Sequence, residues 1–146
     1  MPTPPLIFVL NGPNLNLLGS REPEVYGSET LDDIAAAMSR RTDELGVTLD
    51  IRQSSHEGHL IDWLHEAEAT GAAAVILNAG GYSHRSVAIR DAVAAIKVPV
   101  IEVHLSNPAA RESFRRRSLI AAVAKGTIQG FGASGYILAL DAAVRL

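Results

Sequence analysis

At 146 residues, with 47% hydrophobic and 20% charged content, the chain has the size and balance of one globular domain that buries a core without covalent staples. A net charge of -3 argues against a nucleic-acid binder, which carries a basic excess, and the lack of cysteine excludes disulfides, thiol chemistry and cysteine-based zinc sites. The opening MPTPPLIFVLNGP has no basic stretch, and its apolar run is too short for a signal peptide or membrane span, so a cytoplasmic location with no membrane partner is expected.

Residues 1–5, with three prolines, read as a loose tail, and LIFVL (6–10) as a buried strand. NGPNLNLLGSREPEVYG (11–27) follows, a long polar loop without a helical pattern. Loops of that length in small domains are functional or disordered. Its 19–27 segment sets Gly19, Ser20, Pro23 and Gly27 around charged residues, with little apolar content to anchor it, and reads as a lid. Residues 30–45 place Leu31, Ile34, Met38 and Leu45 on one helical face, with Thr30 and Asp33 as a capping box and Gly46 as C-cap. VTLDIRQ (47–53) is the second strand. Residues 57–70 group Leu60, Ile61, Leu64 and Ala67 on a helix closed by Gly71, with Trp63 read as core.

The third strand is AAVILNA (73–79), and residues 85–96 form a helix through Val87, Ile89, Val93 and Ile96, stopped by Pro99. PVIEVHL (99–105) is the fourth strand. NPAARESFRRR then predicts a helix, with Asn107 as N-cap and Pro108 in its first position. A weaker strand, GTIQGF (126–131), precedes a last helix in SGYILALDAAVRL.

Alternating strands and helices predict an α/β fold, a parallel sheet with helices on both faces and right-handed crossovers. Five such strands suggest the flavodoxin-like order 2-1-3-4-5, although periodicity does not dictate order. Ligands of these folds bind beyond the carboxyl ends of the strands. Asn11, Asn14 and Asn16 fall there after strand 1, NAGGYSH (78–84) after strand 3 and EVHLSN (102–107) after strand 4. Glu102 and His104, two apart, share a face of the fourth strand. A buried glutamate needs a partner, and the imidazole supplies one. The pair reads either as an oriented histidine with its tautomer set by Glu102, or as a structural ion pair. Gly80 and Gly81 allow close approach, and their N–H groups suit an anion. Arg21, Arg111 and Arg115 add cations at the same edge, whereas Arg116 and Arg117 read as a solvated face. The ligand expected from this chemistry is small, polar and anionic.

Other signals carry less. GFGASG (130–135) matches a dinucleotide fingerprint, but only eleven residues follow, so it reads as a tight strand-to-helix turn. His56 and His59 in HEGH lack a third ligand, and no metal is expected. Lys97 and Lys125 precede strands, at the wrong edge for a Schiff base.

NGPNLNLLGSREPEVYG, NAGGYSH, IRDA, IEVHLSN and RESFRR, in this order and spacing from about residue 6 onward, together resemble the type II 3-dehydroquinate dehydratases, or type II dehydroquinases. The resemblance implies a flavodoxin-like hydro-lyase needing neither cofactor nor metal. It would convert 3-dehydroquinate to 3-dehydroshikimate by anti elimination through an enolate, in the shikimate pathway or, in some members, in quinate breakdown. It also implies a homo-oligomer, a dodecamer built from trimers. By the same resemblance Tyr26 is the base that takes the C2 proton, and Arg21 helps hold it as its anion. Asn14 stabilises the enolate through a water. His104 protonates the departing C1 hydroxyl, with Glu102 behind it. Asn78, His84, Leu105, Ser106 and Arg115 bind substrate, and Asp91 reaches toward a neighbouring subunit's site. Arg85 has no assigned part. The alternative is a small-anion or nucleotide-binding module on the same fold, which needs the glycine turns but no tyrosine base.

Overall fold

The computed structural model of the chain describes residues 3–146. Strands β1 (Leu6–Asn11), β2 (Thr48–Gln53), β3 (Ala74–Asn78), β4 (Val100–His104) and β5 (Gly126–Gln129) form one parallel sheet in the order β2-β1-β3-β4-β5. This is the flavodoxin-like order expected from the alternation. A one-turn helix, α1 (Pro23–Tyr26), sits in the loop after β1, and α2 (Leu31–Leu45), α3 (Glu57–Ala69), α4 (Val87–Ala95) and α5 (Ser134–Ala143) cover the sheet.

Side chains alternate along each strand, so each strand feeds two cores. Ile7 and Val9 of β1, Ile76 of β3 and Val103 of β4 meet Ile34 and Met38 of α2 and Tyr136 and Leu140 of α5 on one face. Phe8, Leu10, Val75 and Leu77 point the other way, against Leu60 and Leu64 of α3 and Ile89 and Val93 of α4. The unbroken apolar reading of β1 and β3 is the sum of these two faces.

Local signals set the helix ends. The Thr30 hydroxyl accepts from the Asp33 N–H at 3.1 Å while the Asp33 carboxylate accepts from the Thr30 N–H at 3.0 Å, the expected capping box. Gly46, with φ 70°, closes α2. Helix α4 starts later than its pattern suggests, on Ser86, because Gly80–His84 first form a 3-10 turn.

The expected helix after β4 does not form. Residues 105–125 cross to β5 through two short 3-10 turns, Pro108–Ala110 and Ser113–Arg115. Asn107 does cap the first, accepting from the Ala109 N–H at 3.3 Å. The following RESFRRR has no apolar stripe to lay on the sheet, and Phe114 is 61% exposed, so nothing rewards a longer helix. The segment is fixed instead by buried Ile120 and by the Leu119 N–H, which donates to the Ser83 carbonyl at 2.8 Å.

Trp63 is half-buried rather than core, packed at the rim of the second cluster with the Arg52 guanidinium 5.5 Å from its ring centroid. Met1 and Pro2, part of the expected loose tail, lie outside the described residues. Residues 3–5 are exposed irregular chain, and the Pro5 carbonyl accepts from the Thr48 N–H at 2.9 Å. No helix among the described residues is long and apolar enough to cross a membrane.

Candidate active site

The carboxyl ends of β1 and β3 lie in register, with Asn11 opposite Asn78. Just beyond, the Gly12 N–H donates to the Asn78 carbonyl at 2.8 Å. A Cβ on Gly12 would stand 2.6 Å from the Ala79 carbonyl oxygen, so only glycine lets the two loops close on each other. The chain turns at Asn14, which takes a left-handed φ of 70° that asparagine tolerates better than most side-chain-bearing residues. Leu15 and Leu18 plug into the first core and anchor the base of the loop, leaving 19–27 to arch outward.

That arch ends in α1, with Pro23 in its first turn, and delivers Tyr26 to a cavity of about 180 Å³. Asn14, Arg21 and Tyr26 line it from the first loop, and Asn78 and His84 from the end of β3. His104, Leu105 and Ser106 line it from the end of β4, with Arg111 and Arg115 from the crossover. Two guanidinium carbons lie against the Tyr26 ring, Arg21 at 4.5 Å and Arg111 at 5.1 Å from its centroid. Each is within cation–π range. Arg111 also donates to the Ser106 hydroxyl at 3.3 Å. Arg115 donates through Nε to the Glu112 carboxylate at 2.6 Å.

A carboxyl–imidazole pair organises the other side of the cavity. His104 Nε2 donates to Glu102 Oε2 at 3.0 Å, which leaves Nδ1 with no protein partner among the described residues. Glu102 is fully buried behind the ring rather than in the cavity wall, and its Oε1 has no hydrogen-bond partner among the described residues. Its Oε2 also accepts from the Ser118 hydroxyl, which itself accepts from the Ile120 and Ala121 N–H groups. His84 lies nearly parallel to His104, ring centroids 6.3 Å apart, and its Nδ1 donates to the Arg117 carbonyl at 2.9 Å.

The Asn78 amide is tied on both sides. Its Oδ1 accepts from the Gly80 N–H at 3.2 Å, so that N–H is not free for an anion as the glycine pair suggested. Its Nδ2 donates to the Tyr136 hydroxyl at 3.0 Å. Burial pushes the Tyr136 phenol above the ordinary tyrosine range, and the Asn78 bond offsets this only in part.

Some expected residues fall elsewhere. Asp91 is exposed on α4, its carboxylate held by the Arg90 guanidinium at 3.0 Å, and does not reach this chain's cavity. Asn11 is buried in β1, and Asn16 accepts from Gln53 at 3.4 Å on the outside. Arg85, Arg116 and Arg117 are exposed. Sequence reasoning named Arg111 only as a cation and missed Ser118 and Tyr136, whose contacts join distant positions. A larger hollow of about 710 Å³, between Val93, Lys97, Lys125 and Arg145, opens at the opposite edge and holds none of this imidazole and carboxylate chemistry. Among the described residues no group of three or more histidine, aspartate or glutamate side chains is disposed to hold a metal ion.

The geometry thus sets a tyrosine among cations against a carboxylate-backed histidine across a small polar cavity. Residues 5–144 match the family model described as Dehydroquinase class II. A 3-dehydroquinate dehydratase of Rhizobium johnstonii is 57% identical over 136 residues, covering 93% of each chain. Crystal structures of type II dehydroquinases from Butyrivibrio crossotus and Propionibacterium acnes superpose with TM-scores of 0.95 and 0.93 at 40% and 43% identity. The first covers 97% of this chain and 99% of its own, the second 100% and 99%.

Proposed function

The chain belongs to the dehydroquinase class II family, and from that premise we propose how its residues divide the dehydration of 3-dehydroquinate to 3-dehydroshikimate, this family's step in the shikimate pathway. The 146 residues act as a single catalytic domain, with 19–27 as a lid that carries the base to the substrate. Tyr26, as phenolate, takes a proton from C2, beside the C3 ketone. The charge of Arg21 and Arg111 against its ring stabilises the anion that does so. Asn14 stabilises the resulting enolate oxygen. His104, protonated on Nδ1 and backed by Glu102, gives that proton to the C1 hydroxyl. Water leaves as the enolate electrons form the C1–C2 double bond, in an anti elimination.

Asn78, His84, the Leu105–Ser106 backbone, Ser106 and Arg115 hold the substrate's oxygens and carboxylate. These side chains supply a base, an acid and charge stabilisation, so the reaction proceeds without a cofactor or metal. Asp91 serves a neighbouring copy's site in a homo-oligomer, a dodecamer built from trimers. Its exposure on a helix that also exposes Val87, at 59%, supports that role.

The observation that carries this reading is the pairing of a cation-flanked Tyr26 with the Glu102-backed His104 around one cavity. Mixing purified protein with 3-dehydroquinate and recording the ultraviolet absorbance of the conjugated enone tests it. Steady growth of the band is expected. Binding without turnover would return the chain to the small-anion-binding alternative.

A further inference from the structure

Asn78 sits at the end of a line of hydrogen bonds that runs along one face of the sheet, from β2 through β1 and α5 to β3. Tyr136 of α5 is wholly buried. Its hydroxyl donates to Asn11 Oδ1 at 2.6 Å and accepts from Asn78 Nδ2 at 3.0 Å. Backbone groups fix both ends of the line. Asn11 Nδ2 donates to the Arg52 carbonyl at 3.1 Å, and Asn78 Oδ1 accepts from the Gly80 N–H at 3.2 Å.

A phenol has one proton to give. Once Asn11 takes it, only lone pairs remain for Asn78. A reversed Asn78 amide would set its NH2 against the Gly80 N–H and its oxygen against a phenol oxygen with no proton to offer. Only one orientation satisfies every atom, and it leaves the second Nδ2 hydrogen with no protein acceptor among the described residues, on a residue that lines the cavity. We infer that Tyr136 is a positioning residue of the dehydration, whose hydroxyl fixes the Asn78 amide as a hydrogen-bond donor to a substrate oxygen. The inference rests on the proposed role of Asn78 as a substrate ligand. Tyr136 does not itself line the cavity, so its hydroxyl acts on the site through Asn78.

Tyr136→Phe removes that oxygen and keeps the ring in the core. In steady-state assays KM for 3-dehydroquinate should rise roughly ten- to hundredfold, the range for unpairing a buried polar group, with a smaller fall in kcat. Asn78→Ala should give a loss of similar size, and adding Tyr136→Phe to it should cost less than about threefold more, because the two act as one unit. A Tyr136→Phe enzyme with lowered Tm but unchanged KM, beside an impaired Asn78→Ala enzyme, would overturn this inference alone. An Asn78→Ala enzyme with unchanged KM would overturn the role of Asn78 and the inference together. If Tyr136→Phe does not fold, Asn11→Ala carries the test. Asn11 is buried outside the cavity wall, and losing it frees the phenol proton, so that Tyr136 no longer enforces one orientation of the Asn78 amide. A KM increase that disappears in the Asn78→Ala background is then expected, and an unchanged KM overturns the inference.

Discussion

Tyr26 stands at the tip of a loop rather than on a rigid strand, yet its surroundings are well specified. Two guanidinium groups lie against its ring, and the ring itself packs on the first core. Tyr26→Phe keeps the packing and removes the proton acceptor, so kcat should fall by far more than tenfold while the fold and ligand affinity persist. A variant keeping more than about a tenth of wild-type kcat, a loss under ~1.4 kcal/mol, would end the assignment of Tyr26 as base. At this scale the readable part of the site was what local pattern encodes. Glu102 and His104 stood out because two-residue spacing on a strand forces them to one face. Tyr26 was recognisable only through resemblance, since nothing local distinguishes a catalytic phenol from a packed one. Ser118 and Tyr136 were not readable, because their partners lie sixteen and fifty-eight residues away and no periodicity links them.

At the scale of elements, helix starts were legible wherever a side chain closes its own backbone. The capping box of α2 shows this, and its acid half should titrate. Bonds from the Thr30 backbone and hydroxyl hold the Asp33 carboxyl below its ordinary range. A carboxyl lowered on folding stabilises the folded state above the unfolded value of ~3.9, and that contribution is lost as pH falls through the lower folded value. Asp33→Asn should therefore melt below wild type at neutral pH, with the gap closing in acid, as thermal melts at pH 7 and about pH 2.5 would record. A constant gap would mean that the charge is irrelevant. The crossover after β4 was misread for the opposite reason. Asn107 and Pro108 signal a helix start, but a start signal cannot sustain a helix that has no apolar face. The one-turn α1 was missed because four residues are too few to show a period. Lid motion in 19–27 gives a further test: limited proteolysis after Arg21 or Glu24 should slow when 3-dehydroshikimate is bound. Equal cleavage with and without saturating ligand would contradict a closing lid.

For the whole molecule, the flavodoxin-like sheet order suggested by five alternating units is the order found, although the alternation alone does not dictate it. Assembly leaves no periodic signal in the sequence, and its test is made in solution. Light scattering of active protein should give about twelve times the 15.5 kDa of one chain. A monomer mass at full activity would refute the oligomer, and Asp91→Ala should weaken substrate binding without lowering Tm. The line from Arg52 through Asn11 and Tyr136 to Asn78 also bears on how the protein is made. In chain order Asn11 and Asn78 precede Tyr136, which follows Asn78 by 58 residues. A nascent chain can therefore expose all five strands while the amide beside the cavity is still free to turn. On the inference above, full substrate recognition waits for α5, so a chain stalled or clipped just before position 136 would hold all five strands but lack the residue that orients Asn78.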